Sequence, residues 1–201
     1  MLTIHTDSRG RALAVEGALI AGAGPLEELA AAYPHARVRT WPGIITPGFV
    51  NPHGTELLEE AYHPDPREAG DLGTEPLTGD ALTALALDDV RWGASARRGV
   101  QRMLAHGTVA AACEPLRNRA VRDAVRRTGL TLAGRSERPG GVPSLDPLAS
   151  GLPPVTAPPR TPGSAARFAV FDVHDETELT ERGAGTCVAT VIEGRLLFRR
   201  R

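Results

Sequence analysis

His53 and Thr55 are the residues whose spacing most directly suggests chemistry, because they follow the apolar run from Ile44 to Asn51. If that strand continues through them, both side chains point to the same face, since residues two apart in a strand share a face. Two histidines so placed could hold one metal ion together. A threonine hydroxyl is a poor ligand for Zn²⁺, which prefers imidazole, thiolate and carboxylate groups. The spacing alone therefore leaves His53 either as a candidate metal ligand or simply as a polar residue at a strand end.

Several side chains near this pair could add ligands, but each also has a simpler interpretation. The carboxylates of Glu56, Glu59 and Glu60 could bind a cation, yet such acids more often form the solvated start of a helix. His63 could reach back to His53, although a loop histidine beside a proline usually lies on the surface. The sequence leaves these alternatives open.

The remaining histidines and the two cysteines give weaker signals. His106 stands at the predicted end of a helix, where a partly protonated imidazole favours the helix dipole. His5 and His35 show no pairing pattern. Cys113 and Cys187 lie in separate apolar runs and are predicted to be small buried hydrophobes rather than a disulfide. We therefore predict no catalytic residue from these positions.

Other kinds of site have no support in the sequence. It contains no Gly-x-Ser-x-Gly elbow, no P-loop and no Gly-x-Gly-x-x-Gly fingerprint. All 23 basic residues are arginines, so neither a Schiff-base lysine nor a carbamylated bridging lysine is available. No cofactor-binding residue is predicted, and Zn or Fe is expected only if a metal site survives.

Composition indicates a globular protein. The chain has 201 residues, of which 41% are hydrophobic and 23% charged, and its net charge of -1 gives no general reason to bind nucleic acid or an anionic membrane. No apolar run approaches the roughly 18 residues that span a bilayer. The polar start, from Met1 to Gly10, lacks the apolar region of a signal peptide, so we expect cytoplasmic residence. The arginines at 199–201 are expected to form a solvated tail.

The first 46 residues are predicted to form short strands and one helix. A Glu16-Gly17 turn between two apolar segments indicates a hairpin. Pro25 opens a short helix through Ala32, and a strand follows at Val38 to Trp41.

The middle of the chain alternates strands with helices. After a long loop from Glu59 to Gly79, helices are predicted at Asp88 to His106 and at Asn118 to Thr128. Strands follow them at Thr108 to Cys113 and at Leu130 to Ala133. Asp88 and Asp89 are expected to cap the first of these helices.

The C-terminal part begins with a segment of different composition. Residues 136–164 hold eight of the 17 prolines and four glycines, which favours a linker or an irregular crossing segment. Strands are then predicted at Ala166 to Val173, Thr186 to Ile192 and Arg195 to Phe198, the last two joined by a Glu193-Gly194 turn.

Pro47 to Leu57, with Gly48-Phe49-Val50-Asn51-Pro52-His53-Gly54-Thr55 between them, resembles the first barrel strand of metal-dependent amidohydrolases. Those enzymes usually carry Pro-Gly, two hydrophobic residues, Asp or Asn, one variable residue, and then His-x-His. The segments "VEGALIAGAGP" and "GVQRMLAHGTVAA", and the C-terminal strands, are similar to the imidazolonepropionase and aminodeoxyfutalosine deaminase group.

The resemblance implies an α/β fold with a β-sandwich. Residues 1–46 and 165–201 would form a composite β-sandwich, and 47–135 a partial (β/α) barrel of about three βα units, since a full barrel needs roughly 200 residues or more. Residues 136–164 would be the Pro-rich linker. The open sheet edge of such a barrel favours association with a second copy or with an amidohydrolase paralogue.

The resemblance also implies a metal held by two histidines of the first strand, a later histidine and a later aspartate. Only His53 matches one of them, so the resemblance implies that His53 is a vestigial or weak metal ligand. We therefore expect a degenerate amidohydrolase-like protein that is not catalytic on its own and has a binding or scaffolding role. The alternative is a metal-dependent hydrolase of non-peptide C–N bonds, such as a deaminase, that is completed by oligomerisation or by a partner.

Overall fold

The computed structural model describes residues 2–158 and 160–200, which form a mixed α/β fold with three four-stranded sheets. No helix in this part of the chain is long and apolar enough to cross a bilayer. The strands are β1 (Leu2–Thr6), β2 (Arg11–Glu16), β3 (Leu19–Pro25), β4 (Arg37–Thr40), β5 (Ile44–Thr46), β6 (Phe49–Asn51), β7 (Thr108–Cys113), β8 (Thr131–Gly134), β9 (Val155–Thr156), β10 (Phe168–Phe171), β11 (Cys187–Ile192) and β12 (Arg195–Arg199). The helices are α1 (Leu26–Ala32), α2 (Gly54–Leu58), α3 (Ala69–Leu72), α4 (Gly79–Ala84), α5 (Asp89–Leu104), α6 (Arg119–Thr128) and α7 (Glu176–Arg182).

Two of the sheets face each other. The N-terminal sheet has the order β3-β2-β1-β4, and the second sheet, which draws β5 in beside C-terminal strands, has the order β12-β11-β10-β5. Both predicted hairpins are present: β2 pairs with β3, and β11 pairs with β12 through a turn at Glu193 and Gly194, both at positive φ. The two sheets share one apolar core, formed by Leu13, Val15, Ile20, Trp41, Ile45, Ala166, Phe168, Val170, Ala189 and Val191.

The third sheet lies beside them and has the order β8-β7-β6-β9. Strands β6, β7 and β8 are parallel, and α5 and α6 supply residues of the core on one face, including Val100, Met103, Val121 and Val125. Asp88 caps α5 through a 2.8 Å bond that its side chain accepts from the Arg91 N–H, as predicted. These parallel strands bring the segments that follow them to one end of the sheet.

The continuous strand predicted from Ile44 to Asn51 is wrong, because the chain changes sheets in its middle. β5 pairs with β10 in the second sheet, and β6 pairs with β7 in the third. Pro47 lacks the N–H that a strand ladder needs. Gly48 lies so close to β7 that a Cβ there would be 2.2 Å from Val109 Cγ1. The Pro-Gly pair therefore marks the crossing between sheets.

Residues 136–164 are more ordered than a linker composition indicates. β9 pairs antiparallel with β6, with Thr156 opposite Phe49 and Val155 opposite Val50. This covers the β6 edge of the parallel sheet, while on the other edge β8 pairs with β7 alone among the described strands. Leu132 on β8 is 42% exposed. The division of the chain at 46/47, 135/136 and 164/165 stays a prediction.

His5 lies in the core shared by the two facing sheets and is expected to make the protein sensitive to acid. Trp41 Nε1 donates a 3.0 Å hydrogen bond to His5 Nδ1. Burial, with the positive charge of Arg39, lowers the pKa of His5 from 6.5 to about 4. The unfolded chain therefore binds a proton that the folded chain rejects, so stability falls as the pH drops from 6.5 towards 4. Urea unfolding across this window tests it, and His5→Gln should flatten the dependence.

The control for this experiment is His35→Gln, whose histidine side chain is exposed. His63 is also buried and contributes in the same direction, since burial lowers its pKa to about 4. The dependence in His5→Gln should therefore be reduced rather than abolished. An unchanged dependence in His5→Gln would contradict the prediction.

Candidate functional site

The polar side chains of interest gather where β6, β7 and β8 end. His53 follows β6, Glu114 follows β7 and Arg135 follows β8. In open α/β sheets and barrels, ligands bind beyond the carboxyl ends of parallel strands. We therefore take this end of the sheet as the candidate functional site and call it the strand-end cluster: His53, Glu56, Glu114, Arg135 and Arg138.

His53 is held in place by its backbone rather than by its ring. It stands immediately before α2, and its N–H donates a 2.9 Å bond to Asn51 Oδ1. The side chain is buried, and neither ring nitrogen has a hydrogen-bond partner among the described residues. Burial lowers the pKa of His53, Glu56 acts in the opposite direction, and Arg135 lowers it further. The imidazole is therefore neutral at neutral pH.

Thr55 does not share a strand face with His53, so that prediction is wrong. β6 ends at Asn51, and Thr55 already belongs to α2, where the period of the chain is no longer two residues. Thr55 Oγ1 accepts a 3.0 Å bond from the N–H of Glu114, which ties α2 to the end of β7. The threonine has a structural partner of its own.

Glu56 is neither of the two alternatives left open by the sequence, a cation ligand or a solvated helix residue, because it is buried in an ion pair. The Arg135 guanidinium donates 2.7 Å from Nη2 to Glu56 Oε1, and these side chains are only 9% and 6% exposed. Arg138 Nε lies 3.2 Å from the same oxygen. Burial alone would raise the pKa of Glu56, but the hydrogen bond and charge of Arg135, with the charge of Arg138, hold it below its usual value. Glu56 is therefore ionised at neutral pH.

Arg135 joins all three strand ends. Its Nη1 donates a 2.6 Å bond to the carbonyl of Pro52, after β6, and its Nη2 lies 3.5 Å from Glu114 Oε1, after β7. Its own backbone N–H donates to the carbonyl of Cys113 on β7. A fixed positive charge thus occupies the middle of the strand-end cluster.

The two other carboxylates of this segment are already engaged. Glu59 accepts hydrogen bonds from the backbone N–H groups of Arg117 and Asn118, so it orders the start of α6. Glu60 pairs with Arg138 on the surface. Neither carboxylate points to a cation site, and the prediction of a solvated position fits Glu60 better than Glu59.

The surface position considered for His63 is wrong, because the side chain is buried. Its polar contacts are with residues of α2 and α5. Its N–H donates to Ser95 Oγ at 2.9 Å, and its Nε2 lies 2.7 Å from the carbonyl of Leu57. A Cβ on Gly99 would come within 2.7 Å of that nitrogen, so α5 packs directly on the ring. Its contacts are those of a packed core histidine.

The remaining candidates have structural surroundings. His106 Nδ1 lies 2.8 Å from the Arg102 carbonyl, just beyond the C-terminal end of α5, which matches its predicted position. Cys113 and Cys187 are both free and buried, as predicted, and burial raises the pKa of each thiol to about 11. Neither cysteine is a nucleophile at neutral pH, because the thiolate is the reactive form.

A cleft of about 1100 Å³ opens beside the strand-end cluster. Glu56, Glu60 and Arg138 line one side, and Ser144 and Asp146 from the Pro-rich segment line another. The Pro-rich segment is anchored there, because Asn51 Nδ2 donates a 2.8 Å bond to the Ser144 carbonyl. The cleft is large enough for a drug-sized organic molecule.

The described residues do not fit a metal ion. Among residues 2–158 and 160–200, no three side chains of His, Cys, Asp or Glu are arranged to hold one. A structural or catalytic zinc needs three or four protein ligands. In addition, Arg135 carries a positive charge into the region where a cation would have to lie. Among the described residues, the strand-end cluster offers polar contacts but no set of three such metal ligands.

Sequence reasoning missed Arg135 and Arg138. A usable signal was present, because Arg135 comes directly after the third predicted parallel strand. Residues at that position lie at the carboxyl end of the sheet, where the other candidates were already placed.

No protein-family model and no curated protein matches this chain. Among solved structures, ochratoxinase from A. niger matches with a TM-score of 0.47 and 17% identity, over 66% of this chain and 31% of that one. Guanine deaminase from Bradyrhizobium japonicum matches with a TM-score of 0.38 and 20% identity, over 62% of this chain and 27% of that one. The chain thus spans less than a third of the length of either protein.

Proposed function

We propose that this chain is a degenerate amidohydrolase-like protein that binds a ligand or a partner and does not catalyse on its own. The observation that carries the proposal is the buried Arg135–Glu56 ion pair beside His53. It places a permanent cation of the protein itself among the strand ends. A catalytic metal there would have to displace or repel that guanidinium.

The fold supports the proposed relationship in its arrangement of sheets. Two facing sheets contain strands from both ends of the chain, as a composite β-sandwich requires. The pairing of β6, β7 and β8 as parallel strands beside α5 and α6 supports the proposal that they derive from the start of a (β/α) barrel. Under this proposal the Pro-rich segment replaces the later strands and closes the β6 edge with β9.

The electrostatics of the cluster favour binding over catalysis. Hydrolysis in the amidohydrolase manner needs a metal-activated water, and the described residues do not provide its ligands. The buried carboxylate of Glu56, whose charge acts on His53, is held ionised and hydrogen-bonded by arginines. It is therefore a poor proton shuttle, since an efficient general acid or base has a pKa near the working pH.

The second candidate function is a metal-dependent hydrolase completed by a second copy of this chain. One observation favours it: the His53 ring is 1% exposed and both of its nitrogens lack a partner among the described residues. A neutral imidazole with a free lone pair is a competent ligand. The other ligands would then come across the β8 edge, which is the edge that β9 leaves open.

Metal content of the untagged protein, measured by elemental mass spectrometry after zinc repletion, separates the two functions. We expect substoichiometric metal that does not change in His53→Ala. Near-stoichiometric Zn, Fe or Mn that is lost in His53→Ala would overturn the noncatalytic proposal. Metal found only in a dimeric fraction would favour the second candidate.

Thr55→His extends this experiment with a sharper expectation. Because Thr55 lies in α2 and not on a strand beside His53, the new imidazole cannot complete a metal clamp. It also removes the bond to the Glu114 N–H and inserts a larger side chain at a buried position, which costs about 1–3 kcal/mol. We expect lower thermal stability with no gain in zinc affinity. Tight zinc binding by this variant would show that the strand interpretation was correct.

A further inference from the structure

A small basic pocket lies between β4 and β12, at the edges of the two facing sheets. Its volume is about 300 Å³, at the lower end of the range for small-molecule sites. It is formed by residues of three segments: Arg39, Thr40, Trp41, Pro42, Val188, Arg199 and Arg200. We call this the edge pocket. It is remote in sequence from every residue of the strand-end cluster.

The described lining of the edge pocket is positively charged. Three arginines line it, and its lining contains no acidic residue. Among the residues that the structure describes, none of Arg39, Arg199 and Arg200 forms an ion pair. The two arginines of the strand-end cluster, Arg135 and Arg138, are in contrast paired with glutamates. Like charges brought together without a counter-charge repel one another, which an anion would relieve.

These arginines are also held in position. The guanidinium carbons of Arg39 and Arg199 lie 5.4 Å and 5.9 Å from the centroid of the Trp41 ring, within cation–π distance. Trp41 is itself fixed, because its Nε1 is bonded to His5 with the two rings only 9° apart in orientation. Arg200 donates from Nη2 to the Gly185 carbonyl.

The prediction of a solvated tail at residues 199–201 is incomplete, because the backbone of Arg199 and Arg200 is held by strand pairing. Arg199 belongs to β12, and the backbone N–H of Arg200 donates a 2.9 Å bond to the Val188 carbonyl. Arg201 lies outside the described residues. The two described arginines are thus presented to Trp41 by strand pairing.

We propose that the edge pocket binds a phosphate group, either as free phosphate or as the terminal phosphate of a small ester. A phosphate dianion is compact and tetrahedral, and it has enough oxygen atoms to accept hydrogen bonds from three guanidinium groups. A carboxylate has only two oxygen atoms. The pocket size suits a phosphate with a small organic group.

Tryptophan fluorescence can test this, because the chain has only two tryptophans, Trp41 and Trp92. In a Trp92→Phe background, the emission reports on Trp41 alone. Inorganic phosphate and phenyl phosphate would be titrated at constant ionic strength, with sodium chloride as the reference. We expect a saturable change with both phosphates and none with chloride. Calorimetry on the unmodified protein would confirm the affinity independently of the reporter.

Variants locate the site. Arg39→Ala and Arg199→Ala should each weaken phosphate binding about tenfold or more, which corresponds to the loss of one charged hydrogen-bonding group. Arg39→Lys should restore part of the loss, because it keeps the charge but not the fork. The matched control is Arg97→Ala, which removes the same charge from an exposed position on α5 and should bind as the unmodified protein does. Circular dichroism verifies that each variant is folded.

The outcomes distinguish the two phosphate sources. Phenyl phosphate that binds more tightly than inorganic phosphate would indicate an ester, and the opposite order would indicate the free anion. The proposal would be overturned by an absence of saturable binding, by equal responses to phosphate and chloride, or by unchanged affinity in folded Arg39→Ala and Arg199→Ala proteins. None of these results depends on the noncatalytic role proposed for the strand-end cluster.

Discussion

Replacing Arg135 with methionine is expected to destabilise the protein by about 3 kcal/mol, the size typical of breaking a buried ion pair. The substitution leaves the Glu56 carboxylate buried with only the more exposed Arg138 as a charged partner. It also removes the hydrogen bond to the Pro52 carbonyl. Urea unfolding monitored by circular dichroism at neutral pH measures the change.

Two further variants make this result specific to the charge pair. Adding Glu56→Gln to Arg135→Met removes the unpaired charge, so the double variant should be more stable than Arg135→Met alone. Arg138→Met is the control, because Arg138 contacts the same oxygen but is 56% exposed, and it should cost less than about 1 kcal/mol. If Arg135→Met and Arg138→Met lowered the free energy of unfolding equally, the buried ion pair would contribute no more to stability than the exposed one.

The same cycle has a defined dependence on pH. The folded-state pKa of Glu56 is lowered, so the pair stabilises the fold above the unfolded value of 4.5 and loses this effect as the pH falls through the folded pKa. The difference between Arg135→Met and the unmodified protein should therefore shrink in acid.

Gly107→Ala is expected to destabilise the fold by about 3 kcal/mol, through backbone strain and overpacking together. Gly107 has a φ of +72°, which an alanine adopts only with strain. Its new Cβ would lie 2.4 Å from Phe171 Cζ and 3.0 Å from Ala169 Cβ, both on β10. Thermal and urea unfolding should show the loss, because this turn is where the third sheet packs on the second.

Gly134→Ala provides the matched control for this glycine. A Cβ at Gly134 would have no neighbour within 4 Å, and its φ does not lie in the left-handed region. We expect a change of less than about 0.5 kcal/mol, as is usual for surface substitutions. If Gly107→Ala changed the free energy of unfolding as little as Gly134→Ala, the prediction that Gly107 packs closely against β10 would be contradicted.

Local features were predictable from the sequence because local chemistry determines them. The turn residues Glu193 and Gly194 and the cap residue Asp88 act through neighbours a few positions away. The amphipathic period of α5 also predicted that Val100, Met103 and Leu104 lie in the core, although Val90 at the start of the helix is 76% exposed. The α/β class follows from the same periodic segments.

Partners distant in sequence were not predictable in this way. The run from Ile44 to Asn51 carries no signal that its halves belong to different sheets, since both halves are apolar and buried. β9 escaped notice because two residues in a Pro-rich segment have no period. Thr46 pairs with Ala169 and Phe49 with Thr156, in both cases across more than 100 positions of the chain.

The sequence predicted where the candidate site lies but not how its charged side chains are paired. The segment from His53 to Glu56 does lie at the carboxyl end of a strand, as the sequence indicated. The sequence could not show that Arg135, nearly 80 positions away, lies beside this segment and forms an ion pair with Glu56. A carboxylate alone in sequence suggests a ligand, while a carboxylate paired with a buried guanidinium does not.

The crossing at Pro47-Gly48 also determines when the protein can finish folding during synthesis. β5 pairs with β10, whose Ala169 lies opposite Thr46, so the second sheet cannot assemble until β10 has been synthesised. The parallel sheet with α5 and α6 can form its contacts earlier, because they span fewer residues. A nascent chain stalled before residue 168 would therefore expose the inner face of the N-terminal sheet.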